Sequence, residues 1–77
     1  MSGSRYVIRS GSDFGRAIAE LRRRRGMNQE QAAELTGLTK AYISKIESGR
    51  TSSLLEHELR ILRRLGATVT VELDDAP

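Results

Sequence analysis

No cysteine occurs in the 77 residues, and there is a single histidine, His57. The first absence excludes disulfides and thiolate-bound metal, and the two together leave no His/Cys cluster to hold zinc. A cysteine-free chain suits a reducing cytosol, so a cytoplasmic protein is expected. No apolar run approaches the roughly 20 residues that span a bilayer, and the start, "MSGSRYVIRS", has no apolar signal-peptide core, so no membrane partner is expected. Catalytic patterns are missing too. There is no Gly-rich phosphate loop and no metal-ligand spacing, and His57 sits between Glu56 and Glu58 without a nucleophile. An enzyme is therefore not expected, nor is any cofactor.

What the chain does have is positive charge, unevenly spread. Residues 1–71 carry all 13 Lys and Arg but only seven of the ten Asp and Glu, a net +6, and three acids fall in the last six residues. A basic body suits a polyanion partner; charge alone fits a merely solvated surface equally well. A single domain this small buries little apolar surface, and oligomerisation is a common remedy.

Hydrophobic periodicity supplies the elements. "YVIR" (6–9) is short and β-prone. Ser10 offers a helix N-cap, with Asp13 three residues on. Phe14, Ala17, Ile18 and Leu21 follow at helical spacing, and Gly26 supplies a left-handed stop. Asn28, with Gln31 three residues on, caps a short second helix ending near Thr36 before Gly37. Thr39 caps a third that ends before Gly49, and residues 51–53 cap a fourth running to about Leu65, with Gly66 as its stop. On that fourth helix Leu54, Leu55, Leu59, Ile61, Leu62 and Leu65 cover roughly 160°, wider than one small core requires. After Gly66 the period changes to two: Val69, Val71 and Leu73 alternate with Thr68, Thr70 and Glu72. A lone strand leaves its backbone unpaired. Its mate is either residues 5–9 or the same strand of a second copy. "DDAP" reads as a frayed end.

Two short helices joined by a tight turn at Gly37 make a helix-turn-helix layout. Small Ala32 and Ala33 let the pair approach, and Leu38 is expected to turn into the core beside Ile43. Tyr42, Ile43 and Ile46 share one arc of the third helix, and Lys40, Ala41, Ser44 and Lys45 share the opposite one. An exposed, short, polar face near a helix N-terminus is what a reader of major-groove base edges needs. Lysine donates to guanine, serine pairs with several bases and alanine accepts a thymine methyl. Gln29, at the start of the second helix, sits where free N–H groups favour a phosphate, and Arg50, Thr51 and Ser52 offer further phosphate contacts.

The segment "MNQEQAAELTGLTKAYISKIESGR" resembles the helix-turn-helix of the phage-repressor (XRE/Cro) family, in the pattern Gln29, Ala33, Gly37, Ile43, Ser44, Glu47 and Gly49. Ala32 departs from it, standing where that family usually has leucine. The resemblance implies a mostly α, lambda-repressor-like domain of four to five helices, in which Thr39, Lys40, Ala41, Ser44 and Lys45 face the groove and Gln29 clamps a phosphate. The run "ILRRLGATVTVEL", helix then strand, is similar to HipB-type antitoxins. That resemblance implies strand pairing across a homodimer through Val69, Val71 and Leu73. It also implies an inverted-repeat operator in double-stranded DNA and a HipA-like Ser/Thr kinase toxin as partner. A stand-alone repressor without a toxin is the alternative. The implied organisation is an N-terminal arm over residues 1–10, a helix-turn-helix domain over 11–66, and the C-terminal strand and tail over 67–77.

Some residues keep two readings. Arg22 to Arg25 are read first as a solvated face favoured by the helix C-terminal dipole, with contact to phosphate or to an acidic toxin as the alternative. Glu47 either orients Lys40 or Arg50 beside the reading face or has the structural role that the family resemblance supports. Tyr42 either packs in the core or reaches a phosphate. Glu58 falls within the apolar arc of the fourth helix, either at its exposed end or against an arginine across an interface.

Overall fold

The structure is a computed structural model and describes residues 4–50 and 52–73. Its elements run β1 (Ser4–Ile8), α1 (Gly11–Arg24), α2 (Gln29–Thr36), α3 (Lys40–Glu47), α4 (Ser53–Arg64) and β2 (Val69–Leu73). The expected fraying of residues 74–77 and the expected role of Thr51 lie outside the described residues.

Each helix starts where a short polar side chain can satisfy orphan backbone N–H groups. Ser10 accepts from the Asp13 amide on α1, Thr39 from the Tyr42 amide on α3, and Ser52 from the Leu55 amide on α4. Asn28 and Gln31 form the full reciprocal capping box on α2. The Asp13 carboxylate reaches one residue further back than a capping box would, accepting from the Arg9 amide at 2.8 Å. At the other end of α2, Gly37 adopts φ 76°, a left-handed conformation that a Cβ would strain, and this makes the tight turn into α3.

The two strands pair antiparallel, with Ile8 opposite Val69, Tyr6 opposite Val71 and Ser4 opposite Leu73. This answers the question of the strand's mate within one chain: β2 is backed by β1. The inward side of this ribbon lies on the core formed by Ile8, Ala17 and Leu59, with Tyr6, Phe14, Leu55, Val69 and Val71 packed against it. The row of Val69, Val71 and Leu73 is therefore half-buried already. What β2 has left for a second copy is mainly its outer backbone edge.

One expectation fails in packing, and one of the two readings of Tyr42 drops out. Leu38 does not turn into the core: it is 44% exposed, because the left-handed Gly37 leaves it on the outside of the turn while Ile43 and Ala33 fill the space between α2 and α3. Tyr42 is half-exposed at the rim rather than buried with Ile43. The wide stripe on α4 divides, as its width predicted. Leu59 is buried and Leu55 half-buried, whereas Leu54, Ile61, Leu62 and Leu65 remain exposed.

Candidate nucleic-acid interface

α3 is held from below and from the side. Ile43 is buried between the helices, and full burial of such a side chain contributes about 1.5–3 kcal/mol. α1 meets α3 almost backbone to backbone. A Cβ at Gly15 would overlap the carbonyl oxygen of Ile46. Gly11, Gly15 and Ala19, one every four residues, are all buried and form the smooth side of α1 that allows this approach.

The third restraint is polar. Arg22 on α1 and Glu47 at the end of α3 form a two-pronged ion pair, Nε to Oε2 at 2.7 Å and an Nη to Oε1 at 2.9 Å. Their side chains are only 12% and 7% exposed. The guanidinium also donates to the Met27 carbonyl at 2.8 Å, and Gln29 donates its amide to Glu47 Oε1 at 3.0 Å. The Arg22–Glu47 pair thus ties α1, the turn before α2, the first residue of α2, and α3. The Arg22 hydrogen bond, helped by Gln29, holds the Glu47 carboxyl below the usual carboxylate range against the opposing effect of burial. The same pair raises the Arg22 pKa further.

These contacts correct two readings. Arg22 is not part of a solvated face; α1 turns it inward with Ile18, four residues earlier, while Arg23 and Arg25 stay exposed. Glu47 engages neither Lys40 nor Arg50 but Arg22 and Gln29. The sequence held a signal for Arg22 in that helical spacing, hidden by three identical neighbours.

With the inner side so occupied, Thr39, Lys40, Ala41, Ser44 and Lys45 all stand exposed on the other side of α3. Thr39 spends its oxygen lone pair on the Tyr42 amide at 3.1 Å and keeps its hydroxyl hydrogen. Gln29 lies at the first turn of α2, half-buried, with one amide hydrogen committed to Glu47. Arg50 and Ser52 are exposed beside the reading helix, and Ser52 caps α4. Tyr42, Lys45, Arg50 and Ser52 together border a groove of about 450 Å³ floored by Phe14, Ile18, Ile46 and Leu55. Four of the ten expected DNA contacts thus share one rim. Thr51 is outside the described residues.

The model of a family described as helix-turn-helix matches residues 18–71, most of this chain. The chain belongs to the XRE-type helix-turn-helix family. It is also similar to the HTH-type transcriptional regulator PuuR of Escherichia coli (strain K12), 34% identical over 56 residues, which cover 73% of this chain and 30% of that protein. The PuuR of Shigella flexneri matches to the same extent. The chain spans about 30% of the length of these relatives. No solved structure matches it. The lambda-repressor-like fold expected from the sequence is the fold observed, mostly α with a C-terminal strand and four helices among the described residues. Among those residues no helix is long and apolar enough to cross a membrane, and no group of His, Cys, Asp and Glu is placed to hold a metal.

Proposed function

We propose that this chain is a sequence-specific DNA-binding regulator, acting in the cytoplasm as a homodimer that represses transcription from an inverted-repeat operator. The observation that carries this reading is the exposed polar face Thr39, Lys40, Ala41, Ser44 and Lys45, on a helix whose other side is locked to α1 and α2. In this reading those five residues meet base edges. Gln29, Tyr42, Arg50, Thr51 and Ser52 meet phosphates, fixing register without reading sequence. The outer edge of β2, with Val69, Val71 and Leu73, joins two copies so that two recognition helices sit about one helical turn apart, roughly 34 Å. The relatives' description as transcriptional regulators supports the same reading. Nothing in it requires catalysis or a cofactor.

A second, finer reading has the protein as antitoxin to a HipA-like Ser/Thr kinase. Its support is the placement of β2 directly after α4. The plain repressor needs nothing beyond the reading face and a dimer, and it is preferred.

Fluorescence anisotropy with the DNA upstream of the chain's own gene, against random duplex, tests the DNA reading. Affinity should be at least a hundredfold higher for the former and should fall steeply with salt. Lys40, Lys45 and Arg50 in each of two copies give six cations, hence a log–log salt slope of about −5 when all engage phosphates or bases. Equal affinity for both duplexes overturns the reading. A neighbouring kinase gene whose product co-purifies with this chain would turn the balance to the antitoxin.

A further inference from the structure

The outer side of α4 has a composition that nothing in the DNA-binding reading uses. Leu54, Ile61 and Leu65 are 67%, 57% and 77% exposed, and Leu62 beside them is 38% exposed. Apolar side chains clustered in this way on a small protein mark a contact surface. Leu54, Glu58, Ile61 and Leu65 are spaced four, three and four residues apart. That is the spacing of a seam that packs on another helix by knobs into holes, and Glu58 occupies one of its four knob positions.

Glu58 is exposed and has no ion-pair partner among the described residues. The position of its carboxylate decides what can cover the seam. If a second copy packed parallel, Glu58 would face Glu58. If it packed antiparallel, Leu54 would face Leu65 and Glu58 would face Ile61. Either symmetric arrangement buries two carboxylates without cations, and a buried unpaired charge is strongly unfavourable. A polar residue in a seam selects its partner in this way, at a cost to other pairings. Glu58 and Ile61 share a shallow surface depression with Leu62, and Leu62 with Arg63 also borders a separate cleft against Val7, Arg9 and Val69 of the sheet, which Ile61 and Leu65 do not line. None of the exposed seam residues borders the groove beside the reading helix.

We propose that this side of α4 docks a helix of another protein, one presenting an apolar seam with an arginine or lysine opposite Glu58. The inference does not rest on the DNA reading. It uses residues other than those of the β2 edge and of the exposed face of α3.

Two probes are used: a copy of this chain carrying Glu58→Arg, which puts a cation opposite Glu58 when the two helices pack parallel, and a copy carrying Glu58→Leu with Ile61→Arg, which does so when they pack antiparallel. Wild type and each probe are sedimented alone at micromolar concentration, then wild type is mixed one to one with each probe. The chain has no cysteine, so a spin label on a Cys placed at His57, beside the seam, reports whether two α4 helices come together. The expected result is that one of the mixtures at least doubles in mass over either protein alone, with a label-to-label distance below about 20 Å, as two packed helices 8–10 Å apart require. Where β2 already joins copies in pairs, each pair carries two seams and the mixture grows past a doubling, so the label distance, not the mass, reads the α4 contact separately from the β2 homodimer. Wild type alone giving the same short distance overturns the proposal in favour of a second copy. No association in either mixture, with all the proteins folded by circular dichroism, overturns it outright.

Discussion

The α1–α2–α3 half of the molecule and the α4–β2 half are built on different principles. In the first, contacts are close and specific: Gly15 lets two helix backbones touch, and one carboxylate on α3 is bonded to Arg22 and Gln29. In the second, α4 is anchored by Leu55 and Leu59, by the Glu56 carboxylate accepting from the Gly11 amide at 2.9 Å, and by Arg63 donating to the Arg9 carbonyl. Its outer side is open. A reading helix must hold its side chains to within a fraction of an ångström of base edges, so rigidity belongs there. An association surface gains its rigidity from whatever docks on it. The contrast is between a half that is packed on itself and a half whose outer side stays open.

The strongest way to break that contrast is to truncate one apolar residue in each half. Ile43→Ala should cost about 2–5 kcal/mol of stability in urea unfolding, because it leaves a cavity among three helices. Leu65→Ala should change stability in the isolated chain by no more than about 0.5 kcal/mol, as expected of an exposed side chain. Similar losses at the two positions would mean that α4 is already covered in solution.

Gly15→Ala should come next. The added methyl pushes α1 from α3 and should cost about 1–3 kcal/mol. Operator affinity should fall with it even at temperatures where the variant is folded, because α3 is displaced. A folded variant with full affinity would show that the close approach is not what positions the reader.

Single reading-face changes sharpen the comparison without touching the fold. Lys45→Ala or Ser44→Ala should leave unfolding within about 0.5 kcal/mol of wild type. Each should remove discrimination against one wrong base, worth about 1–3 kcal/mol, in competition binding. Gln29 replaced by Ala should instead weaken all sequences evenly.

The smallest effect is set by pH. The folded Glu47 carboxyl titrates below its unfolded value, so its stabilisation is fully present above the ordinary carboxylate range, around pH 4–5, and is lost as pH falls through the folded pKa. Glu47→Gln should therefore be less stable than wild type at neutral pH, and the gap should narrow on acidification. Thermal melts of the two proteins between about pH 3 and 7 check it. A gap that is constant with pH would mean that the Arg22–Glu47 pair contributes through packing and not through charge.

Much of this could be read in the chain because it is local. Caps at Ser10, Asn28, Thr39 and Ser52 and the left-handed Gly37 are decided by side chains hydrogen-bonding their own backbone and by the lack of a Cβ, within four residues of sequence. The exposed face of α3 followed from its period alone. The readings that missed concern contacts between elements. Arg22 lay at the right helical spacing from Ile18, but what makes it a buried ion-pair residue is Glu47, 25 residues away, which only α3 brings to it. Leu38 was assigned to the core by its chemistry, and the turn geometry left it outside.

The sequence by itself determined the elements, their ends and the two periods that separate helix from strand, because hydrogen bonding and hydrophobic alternation act along the chain. Only the tertiary structure decided that β2 lies against β1, that the row of Val69 and Val71 is spent on the chain's own core, and that four of the six residues of the α4 stripe remain uncovered. Those outcomes depend on how much apolar surface so few residues can bury at once, and that quantity is fixed by packing in three dimensions rather than by any pattern along one.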